Sequence, residues 1–286
     1  MRMMVLGRAW RAAPALLLAA AVAGQWGPVA GQDEKELGWA DKAELTLVTT
    51  NGNSSLSTFG LKNALEYVWP RAALRFAVGG IRTESKTFTR VAQGTADNFT
   101  VQKTYTSAVT AEAYYARGRY DHDINGNTFL FLGSGWERST FAGIGSRVAT
   151  AAGIGRSLAD REGFKLRIDL GLTYTLQQDV DASERDSFAG ARLSYELSRR
   201  LTETTELSSA LILDENQENT DDLRADFTNS ISVTIAQGLA LKASYQLLFD
   251  NDPALKSIPL GQTGTTVLAP LEKADGILTL ALVLTF

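Results

Sequence analysis

The chain has a single histidine, His122, and no cysteine among its 286 residues. That bounds its nucleophilic and thiolate chemistry at once. A Ser–His hydrolase needs its imidazole within hydrogen-bond reach of the nucleophile, held there by a third group. His122 lies in Asp121-His122-Asp123-Ile124-Asn125-Gly126, a run of turn-forming residues, so it reads as a turn histidine and the chain as a non-enzyme. The same run places oxygens at positions 1, 3 and 5 and glycine at position 6 of a calcium loop, through Asp121, Asp123 and Asn125. Position 12 should be a bidentate Glu and is Leu132. Asp, Asn and Gly also dominate plain turns, which is the preferred reading, and no metal or cofactor is expected.

Two further signals are weaker. Gly143-Ile144-Gly145 and Gly153-Ile154-Gly155 are lone Gly-x-Gly pairs with no strand-to-helix context, so they do not support a nucleotide site. Acidic groups gather at Asp179, Asp181, Glu184 and Asp186, and again at Glu215, Glu218, Asp221 and Asp222. Carboxylates of this kind bind Mg²⁺ or Ca²⁺ and would bridge to anionic lipopolysaccharide. A solvated acidic rim is the simpler expectation.

The elements that must carry these groups are strands. After residue 40 the chain alternates apolar and polar side chains, the period of a strand with two different faces. The clearest case sets Phe164, Leu166, Ile168, Leu170, Leu172, Tyr174 and Leu176 against Lys165, Arg167, Asp169, Gly171, Thr173 and Thr175. About twelve such segments of roughly ten to fourteen residues follow one another, long enough to cross a bilayer when tilted. Connections at Pro70 and at residues 159–163, 198–203 and 236–238 are short. Those at residues 84–103, 177–187, 214–222 and 251–274 are longer; the Asn51-Gly52-Asn53 hairpin turn is the exception. This alternation predicts an all-β, antiparallel up-and-down transmembrane β-barrel with both termini periplasmic. A β-sandwich is the competing architecture, but it would bury aromatics near strand centres. Here Trp69, Tyr115 and Phe286 are expected at one edge of the apolar face, and Phe59, Tyr105, Tyr174, Phe227 and Phe249 at the other, as two aromatic girdles.

Both ends of the chain fit export. Arg2, Arg8 and Arg11 precede an apolar stretch over residues 12–23 and small residues up to Gly31, so residues 1–31 read as a cleaved signal peptide. Residues 32–286 then form the barrel, with 32–40 a short periplasmic segment. Removing three arginines makes the mature chain more acidic than the −4 of the whole, which argues against nucleic acid as a partner. The last strand alternates Leu278, Leu280, Leu282 and Leu284 and stops at Phe286. That pattern looks like the C-terminal signature which the barrel-assembly machinery reads.

Gly38-Trp39-Ala40-Asp41-Lys42-Ala43-Glu44-Leu45 followed by Asn51-Gly52-Asn53 resembles the opening of the YdiY-like salt-induced outer-membrane proteins. The run from Trp136-Glu137-Arg138-Ser139-Thr140-Phe141 to Ile144, with Ala152-Gly153-Ile154-Gly155, is similar to that family's middle. The resemblance implies an outer-membrane location, contact with outer-membrane lipid and lipopolysaccharide, and a loose link to salt stress. It implies no reaction and no catalytic residue.

In a barrel the second parity faces the lumen. It offers Lys62, Arg75, Lys165, Arg167, Arg192, Arg224 and Lys242 against Glu66, Glu112, Asp169, Glu196, Glu206 and Asp226. Buried charges persist when paired or hydrated, so two pictures remain open. One is a narrow passive channel for small polar solutes or ions. The other is a plugged barrel that stabilises the envelope through its outer loops. An outer-membrane lipid hydrolase is a distant third.

Overall fold

The computed structural model describes residues 37–50, 54–95, 98–140, 142–259 and 266–286. The expected signal peptide, residues 32–36 and the Asn51-Gly52-Asn53 turn lie outside the described residues. Period-two alternation becomes twelve antiparallel strands closed on themselves: β1 (Gly38–Thr50), β2 (Ser54–Trp69), β3 (Ala72–Thr95), β4 (Asn98–Asp123), β5 (Thr128–Ser139), β6 (Ile144–Arg161), β7 (Phe164–Asp179), β8 (Asp186–Arg200), β9 (Thr205–Asn216), β10 (Leu223–Ala236), β11 (Leu239–Asp250) and β14 (Ala274–Thr285). Each strand pairs with its neighbour in sequence, and β14 returns to β1 through Lys42↔Thr285 to Leu45↔Leu282. Closure removes the free edges that no strand can leave in a bilayer. The start of β1 and the end of β14 meet at one end of the barrel, where Phe286 N–H donates to the Asp41 carbonyl at 3.0 Å.

The outer wall carries the apolar parity. Leu47, Leu172, Leu170 and Leu280 are 59–69 % exposed, a level that suits a lipid-facing surface and no water-facing one. On β3 the apolar wall runs from Leu74 through Phe76 and Val78 to Arg82, about the ten residues that a tilted strand needs to cross hydrocarbon. At the terminal end Trp39, Tyr67 and Trp69 pack edge to face, with ring centroids 4.7 and 4.4 Å apart. Phe286 beside them is 78 % exposed.

Three expectations change. The polar stretch 84–103 is no loop: β3 and β4 run 24 and 26 residues, paired as far as Thr95↔Asn98. Its Thr and Val residues are β-branched and favour extended backbone, which outweighs their polarity. Beyond Ser54↔Thr87 on one side and the bond from Thr140 N–H to the Glu112 carbonyl on the other, this hairpin pairs only with itself among the described residues. Tyr105 lies on that ribbon, 63 % exposed, and so not in the barrel-wall girdle. Likewise, residues 251–274 contain a small separate hairpin, β12 (Leu255–Pro259) with β13 (Thr266–Pro270).

Candidate functional site

The inward parity carries most of the charged side chains, with Phe129, Phe131, Tyr115 and Ile277 buried among them. Asp121 gathers three guanidiniums: Arg75 of β3 at 3.3 Å, Arg119 of β4 at 2.7 Å and Arg167 of β7 at 2.8 Å. Arg119 also reaches Asp169 of β7 at 2.7 Å, and Asp169 accepts the Ser194 hydroxyl at 3.2 Å. Arg75 pairs in addition with Glu66 at 2.8 Å. Since β5 and β6 separate β4 from β7 in the wall, the Arg167–Asp121 and Arg119–Asp169 pairs run as chords across the lumen. Glu196 faces Arg167 directly in the β7–β8 register, and Lys165 lies one lumen-facing position further along.

Two aromatic rings support this layer. Phe129 and Phe131 of β5 point inward and are 2 % and 5 % exposed. The Arg167 guanidinium lies 4.2 Å from the Phe129 ring centre, and that of Arg119 lies 4.4 Å from the Phe131 ring centre, a cation–π geometry. Room for Phe129 comes from Gly155: a methyl group there would lie 2.2 Å from the ring and 2.4 Å from an Asp169 oxygen.

A cavity of about 190 Å³ opens between this layer and the loop end of the barrel. Arg117, Arg119, Arg147, Arg192 and Arg224 line it, with Glu137, Asp214, Asp226 and Asp250, and Pro253, Leu271 and Lys273 of the β11–β14 connection also contribute. Arg117 and Arg147 converge on Glu137 at 3.0 and 3.1 Å. Arg192 holds Asp214 through two hydrogen bonds of 2.7 Å, the bidentate geometry that a guanidinium favours. Arg224 donates to Gln177 at 3.2 Å and stacks on Phe188, while Asp226 accepts from Gln246 at 2.8 Å. Elsewhere in the lumen Lys242 reaches across β14 to Glu44 at 2.6 Å, and Lys62 faces Glu44 in register.

Two expected positions are overturned. Tyr115 is no girdle residue: it is 5 % exposed inside the barrel, packed with Ile81, Ala113 and Ile277. Gly79 opposite leaves its ring space that any Cβ would fill, at 2.5 Å. Glu112 consequently lies on the outward parity, not in the lumen, and pairs with Arg138 at 3.5 Å. The residue beyond register Thr83↔Ala111 is a bulge, which shifts the parity on which the ribbon's alternation continues. The calcium triplet is also divided. Asp121 is held by three arginines inside the barrel, whereas Asn125 is exposed and accepts the Thr128 N–H at 3.0 Å within the turn. His122 stacks on Tyr120, whose hydroxyl lies 3.5 Å from its Nδ1, and among the described residues no serine bonds it.

Three of the loop acids are engaged by their own surroundings. Asp179 accepts from Gln177, Asp181 from the Ser257 N–H, and Asp222 from Asn216 while pairing with Arg224. Among the described residues no three acids or histidines are grouped to hold a metal ion. Sequence reading missed Arg117, Arg119 and Asp121 as one inward row, although three charges at alternate positions were its signal. Phe129 and Phe131 gave none, because Leu130 and Leu132 make both parities of β5 apolar.

Among solved structures the chain is similar to the NanC porin, at 7 % identity and a TM-score of 0.44, covering 86 % of this chain and 97 % of that one. It is similar to the translocator domain of the autotransporter NalP from Neisseria meningitidis, at 12 % identity, a TM-score of 0.44 and coverages of 86 % and 87 %. It is also similar to an anion-selective porin from Comamonas acidovorans, at 13 % identity, a TM-score of 0.38 and coverages of 87 % and 98 %. No curated protein matches the sequence. The model of the YdiY-like family, described as "Protein of unknown function, DUF481", matches residues 43–258, and with most of its length covered the chain belongs to that family.

Proposed function

We propose that the protein is an outer-membrane barrel through which ions and small polar solutes pass by a narrow route restricted by the Asp121–Asp169 charge layer. The observation that carries this reading is the layer's composition. It is built of ion pairs anchored in the wall, and two of its buried polar atoms, Arg119 Nη2 and Asp169 Oδ1, have no hydrogen-bond partner among the described residues. A buried polar group without a partner costs about 1–3 kcal/mol, so water or a small ion completes the layer. A hydrated layer passes small charged species and excludes larger ones.

This reading also gives physical content to a role under salt or osmotic stress. Raising ionic strength screens ion pairs, and partly hydrated pairs respond more than dry ones. The export signal, insertion from the C-terminal strand by the assembly machinery, and lipopolysaccharide around the loop end belong to the same proposal.

The test is planar-bilayer conductance of the chain from Gln32, refolded and checked for a heat-modifiable band. Small, steady, salt-dependent steps support the passage. A second reading, a closed envelope-stabilising barrel, is favoured by one observation: Thr83, Ile277, Ala113 and Phe129, on four strands, are at most 2 % exposed. A folded barrel without steps, in the parent and in an Asp169→Asn variant alike, would establish that second reading.

A further inference from the structure

Two lumen arginines meet on an oxygen that carries no charge. Arg147 Nε donates to Gln177 Oε1 at 2.7 Å, and Arg224 Nη1 donates to the same atom at 3.2 Å. Their carboxylate partners are shared or incomplete. Glu137 serves Arg147 and Arg117 together. Arg224 Nε lies 3.1 Å from Asp222 and is buried without a hydrogen-bond partner among the described residues. Like charges this close repel strongly where the dielectric is low, so the pair attracts a further negative charge.

Asp250 shows the converse. It stands directly opposite Arg224 in the β10–β11 register and lies within electrostatic reach of both arginines. Yet the Arg224 guanidinium reaches to Gln177 on β7 instead, and among the described residues Asp250 pairs with no cation, accepting the Asp252 N–H at 3.1 Å. Arg147, Arg224 and Asp250 all line the cavity of about 190 Å³ that opens toward the loop end. The two signs thus face one space without closing on each other. Ile212 and Leu248, on the inward parity of β9 and β11, add an apolar surface to the same cavity. A few placed polar groups on an apolar lining are what a small-molecule site requires.

We propose that this cavity binds a small zwitterion of the α-amino-acid class. Its carboxylate takes donors of Arg147 and Arg224, its ammonium meets Asp250, and its side chain lies on Ile212 and Leu248. An anion alone would leave Asp250 without a cation, and a cation alone would add to the crowding of the arginines. A molecule that carries both charges satisfies both sides. The proposal names a solute class for the passage proposed above, and rests on that reading only for the route by which the solute arrives.

L-leucine and two analogues of its shape separate the charges: 4-methylpentanoate lacks the ammonium, and L-leucinamide lacks the carboxylate. Binding to the refolded chain from Gln32 is measured by equilibrium dialysis in lipid nanodiscs. Leucine should bind about tenfold tighter than either analogue, as expected for one charge-assisted hydrogen bond. Arg147→Gln should weaken leucine and 4-methylpentanoate by a similar factor and leave leucinamide unchanged. Asp250→Asn should weaken leucine and leucinamide and leave 4-methylpentanoate unchanged. A general loss of structure does not produce that crossover, and the three-ligand comparison on the parent barrel stands without either variant. Leucine that binds no tighter than its analogues, or folded variants that weaken all three ligands alike, overturn the proposal. Conductance is recorded on the same parent barrel. A silent barrel that still prefers leucine sinks the polar passage alone, and a conducting barrel without that preference sinks the zwitterion site alone.

Discussion

Arg119 on β4 and Asp169 on β7 meet at 2.7 Å although β5 and β6 lie between their strands in the wall. A neighbouring pair of strands would make such a contact along the wall; this one crosses the interior. It is possible because β5 and β6 offer flat aromatic rings over glycine, so two long arginines lie across them without obstruction. The contact therefore sets the bore of the barrel at this level.

Removing that chord should widen the proposed passage. The double variant Arg119→Ser, Asp169→Ser deletes both charges together and leaves no unpaired ion. Single-channel conductance should rise severalfold while the heat-modifiable band is retained. An unchanged conductance would show that the layer does not limit flow.

Asp121 should matter more to stability than Asp214. Asp121 joins three arginines and Asp214 one. Asp121→Asn removes the anion that three arginines share, although Arg75 keeps Glu66 and Arg119 keeps Asp169, and breaking a buried pair costs about 3–5 kcal/mol. Urea unfolding in lipid vesicles should place the Asp121→Asn midpoint below that of Asp214→Asn.

Gly155→Ala tests the aromatic support of the layer. The new methyl group would lie 2.2 Å from Phe129, and overpacking of this kind costs about 1–3 kcal/mol. Folding yield should fall, and pairing the change with Phe129→Leu should recover part of it. No recovery would mean that the Asp169 carboxylate, 2.4 Å from the new methyl group, and not the ring, is what it disturbs.

Leu172→Arg probes the lipid face. Leu172 is 68 % exposed near the middle of β7, and an arginine on the lipid face at the midplane costs about 2–4 kcal/mol. Refolding titrations should show a loss of that size for Leu172→Arg. A loss near zero would place Leu172 outside the hydrocarbon.

Deleting residues 88–105 removes the free part of the ribbon, which pairs only with itself. The shortened chain should refold to a heat-modifiable barrel with unchanged conductance. Failure to refold would show that the ribbon takes part in closing the barrel.

The period-two pattern by itself determined the architecture. Alternation in segments such as Phe164–Asp179, with short and long connections in turn, admits few closed arrangements, and lipid requires the apolar parity to face outward. Arg167 and Asp169 were legible as inward for the same reason, since a strand has two faces and a one-residue error exchanges them. The limits of that reasoning lie where the pattern is interrupted or doubled. Tyr115 and Glu112 exchanged faces because alternation cannot register a bulge, and Phe129 was hidden because both parities of β5 are apolar. Tertiary structure alone decided which charges meet. Arg119 and Asp169 are 50 positions apart in sequence, and whether they touch depends on the stagger of twelve closed strands and on the glycines that let one wall approach another. The β1–β14 seam, paired from Lys42↔Thr285 to Leu45↔Leu282, has the same origin: the pairing of the first strand with the last is a property of closure, which no local stretch of sequence carries.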